Sequence, residues 1–409
     1  MSHPLNYHPA KSRVEIDLPY SKSEANRLLI AQAISENAIQ IEALSDAEDT
    51  RILADALKLD ALEINVGMAG TAFRFLTAYF SIQEGKERIL TGAKRMKERP
   101  IGILVDQLRV LGAEISYLEK EGYPPLKISG KQLKGGELKI DASVSSQYIT
   151  ALLLIAPKLS GGLRLKLTGQ LVSLPYIDLT IALQQKLGVN SKRNASIISI
   201  EEGNYASKAP LQLERDWSSA AFFYQFVAFN RQALRLKGVT QDTAQGDKAC
   251  SSIFKKLGVE TVFDKEGAIL KPVFIENPNE LVLDLTETPD LIPSVAVCAS
   301  QLINKTTIIG TQTLYIKESN RVEALKVELN KVGVEIIELD GTSIQIHKAV
   351  KINTVDLIQF SSYNDHRMAM CIGPLVCLYE KLSIDKLSVV EKSFPHFWRE
   401  FNKLGVETV

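Results

Sequence analysis

The stretch Val332-Gly333-Val334-Glu335-Ile336 decides the fold, because it ends an amphipathic helix pattern with glycine, begins a short strand-like run, and recurs along the chain. Glycine can adopt the left-handed backbone conformation that ends a helix. The same pattern occurs at four further glycines, Gly112, Gly188, Gly258 and Gly405. Consecutive members of the five are 76, 70, 75 and 72 residues apart. This spacing predicts one supersecondary unit that is used repeatedly.

A second recurrent feature is a polar turn that opens an apolar helix pattern. Six such openings contain Lys22, Gly70, Ser146, Trp217, Asp290 and His366. The gaps between them are 48, 76, 71, 73 and 76 residues, so the first unit is predicted to be about twenty residues short. Helix N-termini attract anions through unpaired N–H groups and the macrodipole. We therefore expect these helix starts to face one shared region of the protein.

Strand-like runs that alternate apolar and charged residues lie between the helix patterns. Examples are 137–140, 163–167 and 234–236. Units that mix strands and helices in this way predict two similar α/β domains of three units each. A seam is expected between about residues 205 and 215.

Composition excludes several classes of protein. The chain has 409 residues, 45% of them apolar, with 48 basic and 48 acidic residues, which argues against a generally basic nucleic-acid binder. The longest apolar run is 151–156, far below the roughly 20 residues of a membrane-spanning helix. The first fifteen residues lack the apolar core of a secretory signal. Four cysteines without a C-x-x-C pair indicate a reducing, cytoplasmic location.

Cationic clusters beside the helix starts carry the chemistry. The chain contains no Walker A, dinucleotide-binding, zinc-protease or nucleophile-elbow motif. Lys22 and Ser23 are expected at a helix turn, with Arg27 in the first helical turn, a set that suits a phosphate. Each cluster alone would be an ordinary capped or solvated surface helix, and Glu318 with Arg321 would be a surface ion pair.

Six ordered motifs make a resemblance specific. They are S-K-S-x-x-N-R at 21–27, A-G-T-A at 69–72, R-M-K-E-R-P-I-G at 95–102, S-V-S-S-Q at 143–147, L-V-S-x-P-Y-I-D at 171–178 and Y-N-D-H-R-M-A-M at 363–370. With these motifs the chain resembles the 5-enolpyruvylshikimate-3-phosphate synthase family from about Pro19 to Phe397. The resemblance implies an α/β (α+β) fold of two domains, each of three βαβαββ units, with helix N-termini facing an interdomain cleft. The implied domains are 20–212, and 1–19 together with 213–409.

The resemblance also implies an activity and a set of site residues. The family transfers the enolpyruvyl group of phosphoenolpyruvate to the 5-hydroxyl of shikimate 3-phosphate by addition and elimination, and it releases phosphate. The implied acid–base residues are Lys22, Asp290 and Glu318. The implied contacts with shikimate 3-phosphate are Lys22, Ser23, Arg27, Ser145, Ser146, Gln147, Ser173, Asp290 and Lys317. The implied contacts with phosphoenolpyruvate are Lys22, Gly70, Arg99, Gln147, Arg321, Arg367 and Lys392. No metal, no cofactor, no nucleic acid, no membrane and a monomeric state are expected, and which acid–base residue moves which proton is left open.

Some positions depart from the family pattern. Tyr20 stands where glycine is usual, Met68 replaces asparagine, and Thr313 replaces an asparagine that would touch shikimate 3-phosphate. Phe75 replaces a proline, and we expect it to reduce sensitivity to glyphosate, an inhibitor that competes with phosphoenolpyruvate in this family.

Two alternatives to this activity are considered. The first is the sister enolpyruvyl transferase that acts on UDP-N-acetylglucosamine. It usually carries a reactive cysteine in the loop that corresponds to residues 88–102, where this chain has none. The second is a non-catalytic sensor that keeps an anion cleft; the retention of Lys22, Asp290 and Glu318 argues against it.

Overall fold

The computed structural model describes residues 2–10, 14–36, 38–143, 145–276, 278–349 and 357–408. Val144, which belongs to the S-V-S-S-Q motif, lies outside them. The chain divides into two compact units. We call Tyr20–Leu213 the continuous unit, and Met1–Pro19 together with Glu214–Val409 the discontinuous unit.

The strands and helices are short and alternate along the chain. The strands of the described residues are β1 (His3–Tyr7), β2 (Val14–Ile16), β3 (Glu63–Asn65), β4 (Glu87–Thr91), β5 (Glu114–Tyr117), β6 (Leu126–Ser129), β7 (Lys134–Asp141), β8 (Ser160–Thr168), β9 (Ser191–Asn194), β10 (Ile197–Ile200), β11 (Leu234–Lys237), β12 (Val259–Asp264), β13 (Gly267–Pro272), β14 (Glu280–Asp284), β15 (Lys305–Ile309), β16 (Glu335–Glu338), β17 (Ser343–His347), β18 (Ile358–Phe360), β19 (Leu382–Ile384) and β20 (Val406–Thr408). The α-helices are α1 (Lys22–Ile34), α2 (Glu48–Lys58), α3 (Gly70–Ser81), α4 (Lys94–Lys97), α5 (Gly102–Val110), α6 (Ser146–Ile155), α7 (Leu174–Lys186), α8 (Trp217–Asn230), α9 (Cys250–Lys256), α10 (Ile292–Leu302), α11 (Arg321–Asn330), α12 (His366–Ile372) and α13 (Phe397–Lys403).

Two sheets of the continuous unit follow one βαβαββ scheme. Their strand orders are β3-β4-β6-β5 and β7-β8-β10-β9. In each sheet the first two strands are parallel and the remaining neighbours are antiparallel. In strand β8 the leucines are buried, while the intervening Arg164 and Lys166 are exposed. One face of the sheet is therefore covered and the other faces solvent.

The discontinuous unit contains three sheets of the same scheme, with orders β12-β13-β11-β2, β14-β15-β17-β16 and β18-β19-β1-β20. The first and third sheets each take a strand from the N-terminal segment. Strand β2 pairs in parallel with β11, and β1 lies antiparallel between β19 and β20. These pairings explain why the first nineteen residues belong to this unit.

The remaining unit, at residues 20–62, keeps its two helices and lacks a sheet. Among its described residues no named strand occurs, and a parallel bridge joins Ile41 to Leu211. The prediction of a shortened first unit is therefore confirmed.

The five glycines of the recurrent pattern behave as predicted. Their φ angles are +97° at Gly112, +82° at Gly188, +88° at Gly258, +77° at Gly333 and +91° at Gly405. This is the left-handed conformation that ends a helix and is accessible to glycine at little cost.

The first helix of each repeat forms the centre of its unit. Helices α1, α3 and α6 pack on one another in the continuous unit, and α8, α10 and α12 do so in the discontinuous unit. Each unit has its own hydrophobic core. Cys298 and Cys371 are buried in the core of the discontinuous unit, and all four cysteines are free thiols. Within the described ranges no helix is long and apolar enough to cross a membrane.

Candidate active site

The discontinuous unit concentrates charged side chains around Asp290. This residue lies on a short 3-10 turn, Pro289–Leu291, immediately before α10. Its Oδ1 is 3.4 Å from Nζ of Lys317 and 3.3 Å from Nη1 of Arg321. Its Oδ2 is 3.1 Å from Nη2 of Arg367. One carboxylate thus meets three cations, two from the segment that leads into α11 and one from α12.

These cations control the protonation of Asp290. Burial alone would raise the pKa of its carboxyl, but Arg367, Lys317 and Arg321 together hold that pKa far below its usual range. Burial lowers the pKa of the Lys317 ammonium, and the nearby Asp290 opposes that effect. The resting site therefore contains an ionised carboxylate that is a weak base.

Arg321 begins α11 and is almost fully buried. Its Nε is 2.8 Å from Oδ2 of Asp365, and its Nη2 is 3.2 Å from Oδ1 of the same carboxylate. Nη2 also lies 3.0 Å from Oε2 of Glu318. Burial disfavours the charged guanidinium, but Asp365, Glu318 and Asp290 raise the pKa of Arg321 above its usual value. The prediction of a possible surface ion pair between Glu318 and Arg321 is wrong, since Arg321 is only 1% exposed.

Glu318 connects two cations. Its Oε2 contacts Arg321, and its Oε1 is 3.0 Å from Nζ of Lys392. Lys392 is the last residue of the 3-10 segment Leu387–Lys392. Glu318 therefore lies between two positive side chains, one at the start of α11 and one at the end of the segment Leu387–Lys392.

Local sequence explains how these side chains reach one another. Strand β15 ends just before Gly310, which has φ of +104°. A β-carbon at this position would collide with the backbone of Thr286, so only glycine fits here. The chain then turns through the 3-10 segment Thr311–Ile316 and delivers Lys317 and Glu318 ahead of α11. On α12, Asp365 is the N-cap and accepts a hydrogen bond from the backbone N–H of Arg367 at 3.0 Å.

Lys22 is the first predicted site residue of the continuous unit. It begins α1, and its Nζ is 2.9 Å from Oδ2 of Asp49, near the start of α2. The side chain of Lys22 is 18% exposed, while that of Asp49 is 5% exposed. The buried carboxylate thus holds a partly accessible ammonium at the N-terminus of a helix.

Arg27 lies in the second turn of α1 and not in the first, so its expected placement is corrected. Its guanidinium points into the unit and donates to Thr180 Oγ1 at 2.8 Å, to the Ser23 carbonyl at 2.7 Å and to the Tyr176 carbonyl at 2.9 Å. Burial lowers the pKa of Arg27 to about 10. Arg27 therefore has a structural role inside the continuous unit.

The N-termini of α3 and α6 converge on Gln147. Its Oε1 accepts from Nη1 of Arg74 at 3.0 Å, and its Nε2 donates to Oγ1 of Thr71 at 3.2 Å. Gly70 begins α3, and a β-carbon there would collide with the guanidinium of Arg99 and lie 2.8 Å from that of Arg74. Glycine at this position therefore lets two arginines approach the helix start.

Serine side chains lie at two helix starts of the continuous unit. Ser145 caps α6 and accepts from the Gln147 N–H at 3.3 Å, while Ser146 is buried in the first turn. Ser173 precedes α7 in a left-handed conformation, with φ of +58°. The expected residues Lys22, Ser23, Ser145, Ser146, Gln147 and Ser173 thus lie at the starts of α1, α6 and α7, and Gly70 lies at the start of α3.

Sequence reasoning missed three residues that hold the predicted ones in place. Asp49 pairs with Lys22, Arg74 with Gln147, and Asp365 with Arg321. Asp365 could have been found, because it lies inside the quoted Y-N-D-H-R motif and precedes a helix. Arg74 and Asp49 carried no local signal. Within the described part of the chain no cluster of three His, Cys, Asp or Glu side chains could hold a metal ion.

The repeated βαβαββ sheets, with cations gathered at helix starts, define an α/β protein built to bind small, multiply charged anions. The family model described as EPSP synthase (3-phosphoshikimate 1-carboxyvinyltransferase) matches residues 59–401. The chain belongs to this family.

Similar proteins agree with that assignment. A 3-phosphoshikimate 1-carboxyvinyltransferase of Bacteroides fragilis (strain YCH46) is 39% identical over 407 residues, with 97% of this chain and 96% of the relative covered. The enzyme of the same name from Sulfurovum sp. (strain NBC37-1) is 35% identical, with 96% of each chain covered. Two solved structures of EPSP synthase from Acinetobacter baumannii share the fold, with TM-scores of 0.76 and 0.78 at 20% identity. They cover 100% of this chain and 100% and 99% of their own.

Proposed function

We propose that this protein is a 3-phosphoshikimate 1-carboxyvinyltransferase, which transfers the enolpyruvyl group of phosphoenolpyruvate to the 5-hydroxyl of shikimate 3-phosphate and releases phosphate. The observation that carries the proposal is the partly buried network of three carboxylates and four cations around Asp290, in a chain of this family. A network with one net positive charge suits substrates that bring phosphates and carboxylates.

The substrates are assigned to residues as follows. Shikimate 3-phosphate is bound by Lys22, Ser23, Arg27, Ser145, Ser146, Gln147, Ser173, Asp290 and Lys317. Phosphoenolpyruvate is bound by Lys22, Gly70, Arg99, Gln147, Arg321, Arg367 and Lys392. Supporting the assignment, Arg321, Arg367 and Lys392 are buried cations held by carboxylates, so their donors are pre-oriented for a phosphate or carboxylate group.

Asp290 accepts the proton of the attacking hydroxyl in this proposal. Its carboxylate is a weak base while Arg367, Lys317 and Arg321 surround it. Anionic substrates that draw on the same cations weaken their hold on Asp290 and make it more basic. Substrate binding therefore activates the base at the moment when it is needed.

Lys22 and Glu318 are the residues for the proton that is added to and later removed from the methylene carbon. Glu318 lies between Arg321 and Lys392, and Lys22 is held by Asp49. The C–O bond of phosphoenolpyruvate breaks during elimination, so the leaving phosphate is an anion that the arginines can stabilise without phosphoryl transfer. We further propose that the protein works in the cytoplasm as a monomer, and its free cysteines support the reducing compartment.

The test is turnover by the purified protein with phosphoenolpyruvate and shikimate 3-phosphate, measured as phosphate release together with the mass of the product. We expect equal amounts of phosphate and enolpyruvyl product, and loss of both in Asp290→Asn. The matched control is Asp284→Asn, which changes an exposed carboxylate of the same unit. Product with UDP-N-acetylglucosamine instead, or binding of both anions without turnover, would overturn the proposal.

A further inference from the structure

The segment that delivers Asp365 and Arg367 begins with two residues in an unusual conformation. Tyr363 has φ of +54°, and Asn364 has φ of +53°. A non-glycine residue rarely adopts the left-handed region, and a bulky aromatic residue there is an outlier. Such backbone strain persists only where surrounding contacts enforce it, and it concentrates at functional sites.

Asp385 accepts from the hydroxyl of Ser361 and from the backbone N–H of Ser362, each at 2.8 Å. Further contacts that enforce the turn come from Glu328 on α11. Its Oε1 accepts from the hydroxyl of Tyr363 at 2.8 Å. Its Oε2 accepts from the backbone N–H of Ser361 at 2.9 Å and from Nζ of Lys331 at 2.7 Å. Glu328 is only 1% exposed. This buried carboxylate thus accepts three hydrogen bonds, and two of them come from the start of the strained turn.

Helix α11 therefore contacts the same turn through two of its residues. Arg321 and Glu328 are seven residues apart, which is two helical turns, so they lie on one face. Arg321 holds Asp365 and Glu328 holds Ser361 and Tyr363. Between these two anchors the backbone has to turn sharply, and the left-handed pair at 363 and 364 makes that turn.

We propose that Glu328 and Tyr363 are positioning residues for phosphoenolpyruvate binding, an inference that rests on the proposed function. Their hydrogen bond fixes the turn that places Asp365 against Arg321 and Arg367 against Asp290. Neither residue touches the substrate; each acts through the two arginines. A site that binds a small anion through oriented donors loses affinity when its supporting contacts loosen.

The experiment compares Tyr363→Phe, Glu328→Ala and Glu328→Gln with the wild type in steady-state kinetics for each substrate. Glutamine keeps an acceptor for Ser361 and can donate to the tyrosine oxygen, so it is the conservative rescue. Tyr379→Phe is the matched control, since it removes a hydroxyl that donates to Gln301 at 2.8 Å in the same unit, away from the site residues. Circular dichroism and the melting temperature show which variants are folded.

We expect Tyr363→Phe to raise the KM for phosphoenolpyruvate on the order of tenfold while the KM for shikimate 3-phosphate changes less than twofold. Glu328→Ala should have a larger effect of the same kind, Glu328→Gln should restore most of the affinity, and Tyr379→Phe should behave as the wild type. Unchanged KM values in folded Tyr363→Phe would overturn the inference. So would equal losses for both substrates that follow the melting temperature. An inactive wild type overturns the proposed function, whereas an active wild type with unaffected variants overturns only the positioning role.

Discussion

Arg367 holds Asp290 at two points. Its Nη1 donates to the backbone carbonyl of Asp290 at 2.9 Å, and its Nη2 donates to Oδ2 of the same residue at 3.1 Å. Nη2 also donates to Oγ of Ser218 at 2.7 Å, so the guanidinium joins the starts of α8, α10 and α12. The cation that we assign to phosphoenolpyruvate thereby fixes the carboxylate that we assign to the hydroxyl proton.

Asp290→Asn should therefore destabilise the protein in a pH-dependent way. The cations depress the folded-state pKa of Asp290, so its contribution to stability is present above the unfolded-state pKa of about 4 and is lost as pH falls through the folded-state value. We expect the variant to lose about 2 kcal/mol of unfolding free energy at neutral pH. Urea unfolding of both proteins should give a difference that is constant from about pH 8 to about pH 5 and shrinks below about pH 4. A difference that titrates near neutrality would contradict the assigned charge state.

Gly70→Ala should weaken phosphoenolpyruvate binding without unfolding the protein. The new methyl group would meet the guanidinium groups of Arg99 and Arg74, which are flexible ends that can move away. The close contacts involve side-chain ends and not backbone, so the melting temperature should change little. We expect the KM for phosphoenolpyruvate to rise on the order of tenfold, since even about 1 Å of misplacement is costly. Gly203→Ala is the control, because its β-carbon would meet nothing within 4 Å. Equal kinetics in the two variants would remove Arg99 from the binding set.

Lys22→Ala should abolish most turnover and also lower stability. Its removal leaves the buried Asp49 carboxylate without the ammonium at 2.9 Å, at a cost of about 1–3 kcal/mol. The double variant Lys22→Met with Asp49→Asn should recover the melting temperature, because the carboxylate charge is gone, but it should not recover turnover. Near-normal kcat/KM in either variant would refute the role of Lys22.

Phe75→Pro should increase sensitivity to glyphosate. Phe75 lies in the second turn of α3, in the core, with its ring centroid 5.9 Å from Cζ of Arg27. Proline there removes an N–H and crowds the carbonyl four residues earlier, at Thr71, whose hydroxyl accepts from Gln147. We expect a lower ratio of the glyphosate Ki to the phosphoenolpyruvate KM. Phe75→Leu is the control, since it keeps the N–H and should leave the ratio unchanged. If proline leaves it unchanged as well, position 75 does not tune the inhibitor.

The local elements of the fold could be predicted from the sequence, because their causes are local. A glycine at the end of a helix pattern, as at Gly333, indicates the residue that takes the left-handed conformation. In β8 the alternation of apolar and charged residues indicates which face is buried. The helix starts around Lys22 and Asp365 were also readable, since capping depends on a few neighbouring residues. The repeat spacing then showed that the first unit was short.

Which charged side chains pair with one another, and which of them face inward, depends on the tertiary structure. Arg321 pairs with an aspartate 44 residues away, and Arg367 with one 77 residues away. Arg27, which the motif alone places at a helix mouth, is buried because Thr180 and Tyr176 come to it from α7. The sequence alone indicated where several helices begin and end and which side chains carry charge. The partners of those charges follow from contacts between segments distant in the chain, and such contacts depend on packing that no local pattern encodes.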